Sequence, residues 1–82
     1  MFKIVFTYRA LKDWNKLEKD AKKRIANKLQ EYARDPLQYA RKLVDDKIGG
    51  YRFRIGEYRV IFDIKGKEII VLRIGHRKEV YR

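Results

Sequence analysis

Arg52, Arg54, Arg59 and Arg73 lie in stretches whose apolar residues recur at every second position, and Arg77 follows the last of these stretches. A guanidinium is permanently charged, and its planar fork matches a phosphate with two parallel hydrogen bonds. Arginines that meet at one place therefore make an anion site. Aimed at a phosphate on which negative charge builds up, they stabilise the transition state electrostatically. His76, whose side chain normally titrates near neutral pH, adjoins Arg77. Other chemistries lack their residues. There is no cysteine, no Gly-rich phosphate loop and no Ser–His–Asp spacing. Asp45 and Asp46 are adjacent acids with no histidine nearby, so they form no metal ligand set. The residue pattern calls for no metal and no cofactor.

Whether the arginines meet depends on strand register. Tyr51, Phe53 and Ile55 alternate with Arg52 and Arg54, and Gly56-Glu57 reads as a two-residue turn with glycine first. Tyr58, Val60, Phe62 and Ile64 alternate with Arg59, Ile61 and Asp63. This turn sets Ile55 opposite Tyr58, Arg54 opposite Arg59 and Phe53 opposite Val60. One face then carries Tyr51, Phe53, Ile55, Tyr58, Val60 and Phe62 as the seat for helices, and the other carries Arg52, Arg54 and Arg59. A three-residue turn, Lys65-Gly66-Lys67, leads to a last strand over 68–74. It predicts Ile70, Leu72 and Ile74 on the core face and Arg73 beside Arg59, with Arg77 following if the strand continues past Gly75. Like charges directly opposite on a sheet destabilise it by up to about 1 kcal/mol, and the nearest acids in sequence, Glu57 and Asp63, are expected at turns. Two readings stay open: an external anion is the missing partner, or this is the wet face of an antiparallel sheet.

The preceding elements must carry this sheet. Phe2, Ile4 and Phe6 predict a short first strand, and Thr7 a cap for the helix after it. Ala10, Leu11, Trp14 and Leu17 fall at helical spacing, with Lys12, Asp13, Lys16 and Lys19 on the wet side. Asp20 is expected to cap a second helix bearing Ala21, Ile25, Leu29 and Tyr32, which Asp35-Pro36 ends. Residues 36–47 read as a loop with a helical turn near Leu37 to Arg41. The expected class is α+β: strand, helix, helix and a three-stranded antiparallel meander, with a helical hairpin packed on one sheet face, in one domain over 1–82. Trp14 is expected in the packing between helix and sheet.

Charge narrows the partners. Lys plus Arg total 22 against 11 Asp plus Glu, a net +11 on 82 residues, which favours nucleic acid, the ribosome or an acidic protein. Lys12, Lys16, Lys19, Lys23, Lys28 and Arg73 are candidates for RNA phosphate contacts, each adding to the salt dependence. The run Lys22-Lys23-Arg24 also reads as an ordinary solvated helix face. The longest apolar run, Ile69 to Leu72, is far too short to cross a bilayer, and no membrane contact is expected. The N-terminal Met1 to Phe6 is too short for a signal-peptide core, so a cytoplasmic location is expected.

Two stretches resemble the RelE family of toxins from toxin–antitoxin pairs. One is Arg9-Ala10-Leu11-Lys12-Asp13-Trp14-Asn15-Lys16-Leu17. The other runs from Lys42-Leu43 through Tyr51-Arg52-Phe53-Arg54-Ile55 and Tyr58-Arg59-Val60-Ile61-Phe62 to Gly75-His76-Arg77-Lys78-Glu79-Val80-Tyr81. The resemblance implies an endoribonuclease that enters the ribosomal A site among mRNA and rRNA and is neutralised by a cognate antitoxin. It implies metal-free cleavage, with a ribose 2′-OH attacking the adjacent phosphate. It assigns Arg52, Arg54 and Arg59 to the charged phosphorane, Arg77 to the leaving 5′-oxygen and Tyr81 to the substrate bases. Well-known members carry lysines where this chain has Arg52 and Arg54. Since arginine is a poor base, the 2′-OH is then activated electrostatically or another group accepts its proton, with His76 the candidate. Rival expectations are a ParE-like inhibitor of DNA gyrase and a non-catalytic RNA- or ribosome-binding module.

Overall fold

The computed structural model describes residues 1–43 and 49–80. The chain forms β1 (Lys3–Phe6), α1 (Tyr8–Asn15), α2 (Lys19–Tyr32), α3 (Pro36–Tyr39), β2 (Arg41–Lys42), β3 (Tyr51–Ile55), β4 (Tyr58–Lys65) and β5 (Glu68–His76). One sheet has the order β1-β5-β4-β3-β2, with β1 parallel to β5 and the other pairs antiparallel. The class is α+β, as expected. The expected meander is β3-β4-β5, extended at one edge by β1 and at the other by β2.

Local chemistry explains the elements. Thr7 caps α1: its Oγ1 accepts from the Ala10 N–H at 3.2 Å. Ala21, Ile25 and Leu29 recur every fourth residue on α2 and are buried, with Tyr32 half-buried behind them. The N-cap of α2 is Glu18, so Asp20 lies inside the first turn, where its charge favours the helix dipole without capping. Pro36 ends the run and starts the single turn of α3, where its missing N–H is no loss. Gly56 and Gly66 both have φ of +59°, the left-handed value that a tight hairpin turn with glycine first requires.

The core lies between the helices and one sheet face. Ala10, Ile25, Leu29 and Ala33 meet Phe53, Ile55, Val60, Phe62, Ile69, Val71 and Ile74 there. Phe53 and Phe62 stack with centroids 4.2 Å apart, and Tyr32 tilts onto Phe53 at 5.0 Å. Burying side chains of this size contributes roughly 1.5–3 kcal/mol each. Trp14 meets Phe6 edge-on at 5.6 Å, as expected of a packing residue. Leu11 departs from the expected stripe and is 47% exposed. The β3–β4 register is the expected one, from Ile55 opposite Tyr58 to Tyr51 opposite Phe62.

The β4–β5 hairpin departs from expectation. Lys65 pairs with Glu68, so its turn has two residues, Gly66-Lys67. Pairing runs to Phe62 opposite Val71, then jumps to Ile61 opposite Arg73, a bulge that leaves Leu72 as the extra residue. Ile69, Val71 and Ile74 are therefore the buried positions of β5, while Ile70 and Leu72 are only half-buried.

Candidate functional site

Residues paired across strands share a face, so the register assembles the site in rows. One row is Arg41, Arg52, Ile61 and Arg73, and the next is Arg54, Arg59 and Gly75. The ladder goes one step beyond β5: the Arg77 N–H donates to the Glu57 carbonyl at 2.8 Å, which puts Arg77 in register with Glu57 on that face. Arg54, Arg59 and Arg77 thus lie around the tip of the β3–β4 hairpin, on the side of the sheet away from α2, with Arg52 one row behind them on the same face. Arg73 sits opposite Ile61 rather than beside Arg59, because of the bulge.

The arginines differ in setting. Arg54 is exposed and Arg52 half-buried. Arg59 is 5% exposed, and its Nη1 donates to the carbonyls of Gly56 and Tyr58, each at 3.0 Å. The hairpin's own main chain therefore orients that cation. Arg77 is exposed, with its Nε 3.2 Å from the Glu57 carboxylate. His76 Nδ1 accepts from the Lys78 N–H at 3.3 Å, so the neutral ring carries its proton on Nε2, which faces the Glu57 carboxylate at 3.7 Å. Tyr81 falls outside the described residues, as do Asp45 and Asp46.

Arg73 is committed elsewhere. Its Nε meets Asp13 Oδ2 at 2.8 Å, and the same oxygen accepts the Ile74 N–H at 3.0 Å. Beyond Val71, β5 has no pairing with β1, and Asp13 occupies that open edge. Asp13 is therefore not on a wet face; its side chain is 10% exposed. A cleft of about 420 Å³ opens beside it, lined among others by Lys16, Leu17, Tyr58, His76 and Glu79.

Gly49 and Gly50, just before β3, lie against the other end of the arginine face. A Cβ on Gly49 would lie 2.6 Å from Leu72 Cδ1 and 3.0 Å from Ile61 Cγ2, an approach that glycine permits. The Gly50 N–H donates to Asp63 Oδ1 at 2.6 Å. Asp63 lies within β4, not at a turn, and holds this segment. Ile61 is fully buried as a result, while the hairpin tip stays accessible at Arg54 and Arg77.

The candidate lysines are not gathered with the arginines. Lys12 and Lys16 belong to the C-terminal half and cap of α1, and Lys19, Lys23 and Lys28 to α2 across the sheet. Lys28 pairs with Glu31 at 3.3 Å. Two cations escaped the sequence reading. Arg41 enters the face because β2 pairs with β3, and a two-residue strand gives no periodic signal. Arg24 of α2 reaches the back of the hairpin tip, its Nη1 3.3 Å from where a Cβ on Gly56 would sit. No cluster of three or more potential metal ligands occurs among the described residues.

Residues 4–81 match the family described as the ParE toxin of type II toxin–antitoxin systems, parDE. The chain is 32% identical to toxin RelE3 of Methanocaldococcus jannaschii, over 96% of this chain and 94% of that protein. It is 30% identical to toxin RelG of Mycobacterium tuberculosis, over 99% and 97%. The chain is a type II toxin of the RelE/ParE superfamily. The toxin superposes on a chain of the RelBE2 toxin–antitoxin complex of M. tuberculosis with a TM-score of 0.71 at 29% identity, covering 93% of this chain and 98% of that one. It shares its fold with a chain of the E. coli RelBE complex, TM-score 0.73 at 23% identity, covering 93% and 96%. No helix among the described residues of this toxin is long and apolar enough to cross a membrane.

Proposed function

We propose that this toxin is an endoribonuclease that cuts mRNA in the ribosomal A site, by attack of a ribose 2′-OH on the adjacent phosphate. The observation that carries the reading is the register that sets Arg52, Arg54, Arg59 and Arg77 on one face, in neighbouring rows that end at one hairpin tip. As the 2′-oxygen bonds to phosphorus, the phosphorane gains negative charge. Arg52 and Arg54 approach it from β3 and Arg59 from the floor. The P–O5′ bond then breaks, leaving a 2′,3′-cyclic phosphate and a 5′-oxygen that takes up a proton beside Arg77. Fixed cations aimed at such charge are worth several kcal/mol, because they need no reorganisation during the reaction.

Proton removal from the 2′-OH is the weakest part of this residue set, since guanidinium is no base. His76 Nδ1 already accepts the Lys78 N–H, so His76 takes the proton only if the turn after β5 opens. Electrostatic activation by the arginines is the route these side chains favour: solvent water takes the 2′-OH proton as the oxygen attacks, and water returns one to the leaving 5′-oxygen. The ribosome would supply substrate positioning, itself a large part of such a rate enhancement. Tyr81 would stack on a substrate base.

We further propose a cognate antitoxin rich in acidic residues that covers the arginine face, which a net charge of +11 favours electrostatically. The gyrase reading draws no support from relatives that carry Rel names. The test is mapping of cut sites on a translated message. Wild type is expected to cut in the A-site codon and Arg77→Ala to cut at least about 100-fold more slowly. Uncut message with wild type, or supercoiling inhibited in a purified gyrase assay, would overturn the reading.

A further inference from the structure

Glu57, the second residue of the β3–β4 turn, has three contacts with the segment leaving β5. Its carbonyl accepts the Arg77 N–H at 2.8 Å, and its carboxylate meets Arg77 Nε at 3.2 Å and faces His76 Nε2 at 3.7 Å. The first contact already fixes the main chain of Arg77. The second acts on the guanidinium itself, a side chain otherwise rich in rotamers and 47% exposed. A guanidinium held at its Nε edge keeps its end edge, formed by one N–H from each terminal nitrogen, turned away from the carboxylate. With the side edge taken by Glu57, the end edge is left to grip two phosphate oxygens. His76 limits where the carboxylate can go, and the Lys78 N–H holds the ring in turn.

We propose that Glu57 is a positioning residue that aims Arg77 before RNA arrives. The inference rests on the ribonuclease reading for its catalytic consequence, but the clamp itself can be observed without activity. An acid next to an anion site weakens anion attraction, so its presence needs a compensating gain, and orientation of Arg77 supplies one.

The experiment uses the full chain with Glu57→Ala, Glu57→Asp, Arg77→Ala and the Glu57→Ala/Arg77→Ala double variant, each checked for an unchanged Tm. Two readouts are taken: the Arg77 Nε–Hε resonance by NMR, and single-turnover cleavage on programmed ribosomes. The expected result is a distinct, exchange-protected Arg77 resonance in wild type that collapses to the solvent-exposed position in Glu57→Ala. The cleavage rate at saturation should fall about 10- to 100-fold in that variant, with the half-saturating concentration little changed. Glu57→Asp should recover part of both, and adding Glu57→Ala to Arg77→Ala should lower the rate no further. The inference is overturned by a wild-type Arg77 resonance already at the exposed position, by faster cleavage in Glu57→Ala, which would mark the carboxylate as a competitor for Arg77, or by a further loss in the double variant. If wild type cleaves no message, the ribonuclease reading fails, and the resonance alone decides whether the clamp exists.

Discussion

Removing the Asp13 carboxylate tests the structure where it departs furthest from the sequence pattern. On a wet helix face, Asp13→Ala would change stability by no more than about 0.5 kcal/mol. Here one carboxylate oxygen receives both Arg73 Nε and the Ile74 N–H, and the side chains of Asp13 and Arg73 are only 10% and 19% exposed. Deleting the acceptor leaves a largely desolvated cation and a strand-edge N–H without this partner. Each such loss costs about 1–3 kcal/mol, and the two are not fully additive. Arg9 adds little, since it lies 3.9 Å away on a side chain 63% exposed. Together these give a destabilisation of about 2–4 kcal/mol, and for a domain this small each kcal/mol lowers Tm by roughly 4–8 °C. Asp13→Asn keeps an acceptor for Ile74 and loses the charge, so it should fall between Ala and wild type. Urea unfolding followed by circular dichroism measures both, and an Asp13→Ala/Arg73→Ala cycle should give a coupling of about 1 kcal/mol or more. A loss below 0.5 kcal/mol for Asp13→Ala, or no coupling, would refute the edge-capping role.

Other outcomes follow from the unequal settings of the arginines and from Gly49. Arg54→Ala should leave Tm within a degree or two, because Arg54 is exposed, and reduce message cleavage about 100-fold if its charge acts on substrate as proposed. Arg59→Ala should lose activity and also about 1–3 kcal/mol of stability, since the Gly56 and Tyr58 carbonyls lose a buried donor; equal melting curves for the two variants would contradict this difference. Gly49→Ala should cost about 1–3 kcal/mol in denaturant unfolding, as its methyl meets Leu72 and Ile61 at distances that force one of them to move. An unchanged midpoint would place the 49–50 segment elsewhere.

Much of the fold was legible in the sequence because two periods dominate it. The step-four stripe of α2 and the alternation in β3 and β4 each determine which side chains face the core, and the glycine-first turn at Gly56 determines the register that brings Arg54 opposite Arg59. What escaped was non-local. Asp13 lies on α1 among lysines, and only the open edge of β5, 60 residues away, gives it a buried role. β2 is two residues long and exists because β3 offers it an edge, so Arg41 had no local signal. Glu57 looked like an ordinary turn residue, and its grip on Arg77 depends on where β5 ends.

The last departure shows how closely the site depends on one irregularity. With a two-residue turn at Gly66-Lys67, unbroken pairing from Lys65 opposite Glu68 would carry Val60 opposite Arg73 and Arg59 opposite Ile74. Arg73 would then point into the core beside Val60, and Ile74 would join the arginines. Burying an arginine among apolar side chains is far costlier than disturbing one ladder position. The extra residue, Leu72, moves every later position of β5 to the other face. Ile74 returns to the core, Arg73 reaches Asp13, Gly75 comes opposite Arg59, and Arg77 arrives beside Glu57. The buried side of the sheet selects the bulge, and the same shift assembles the cationic face.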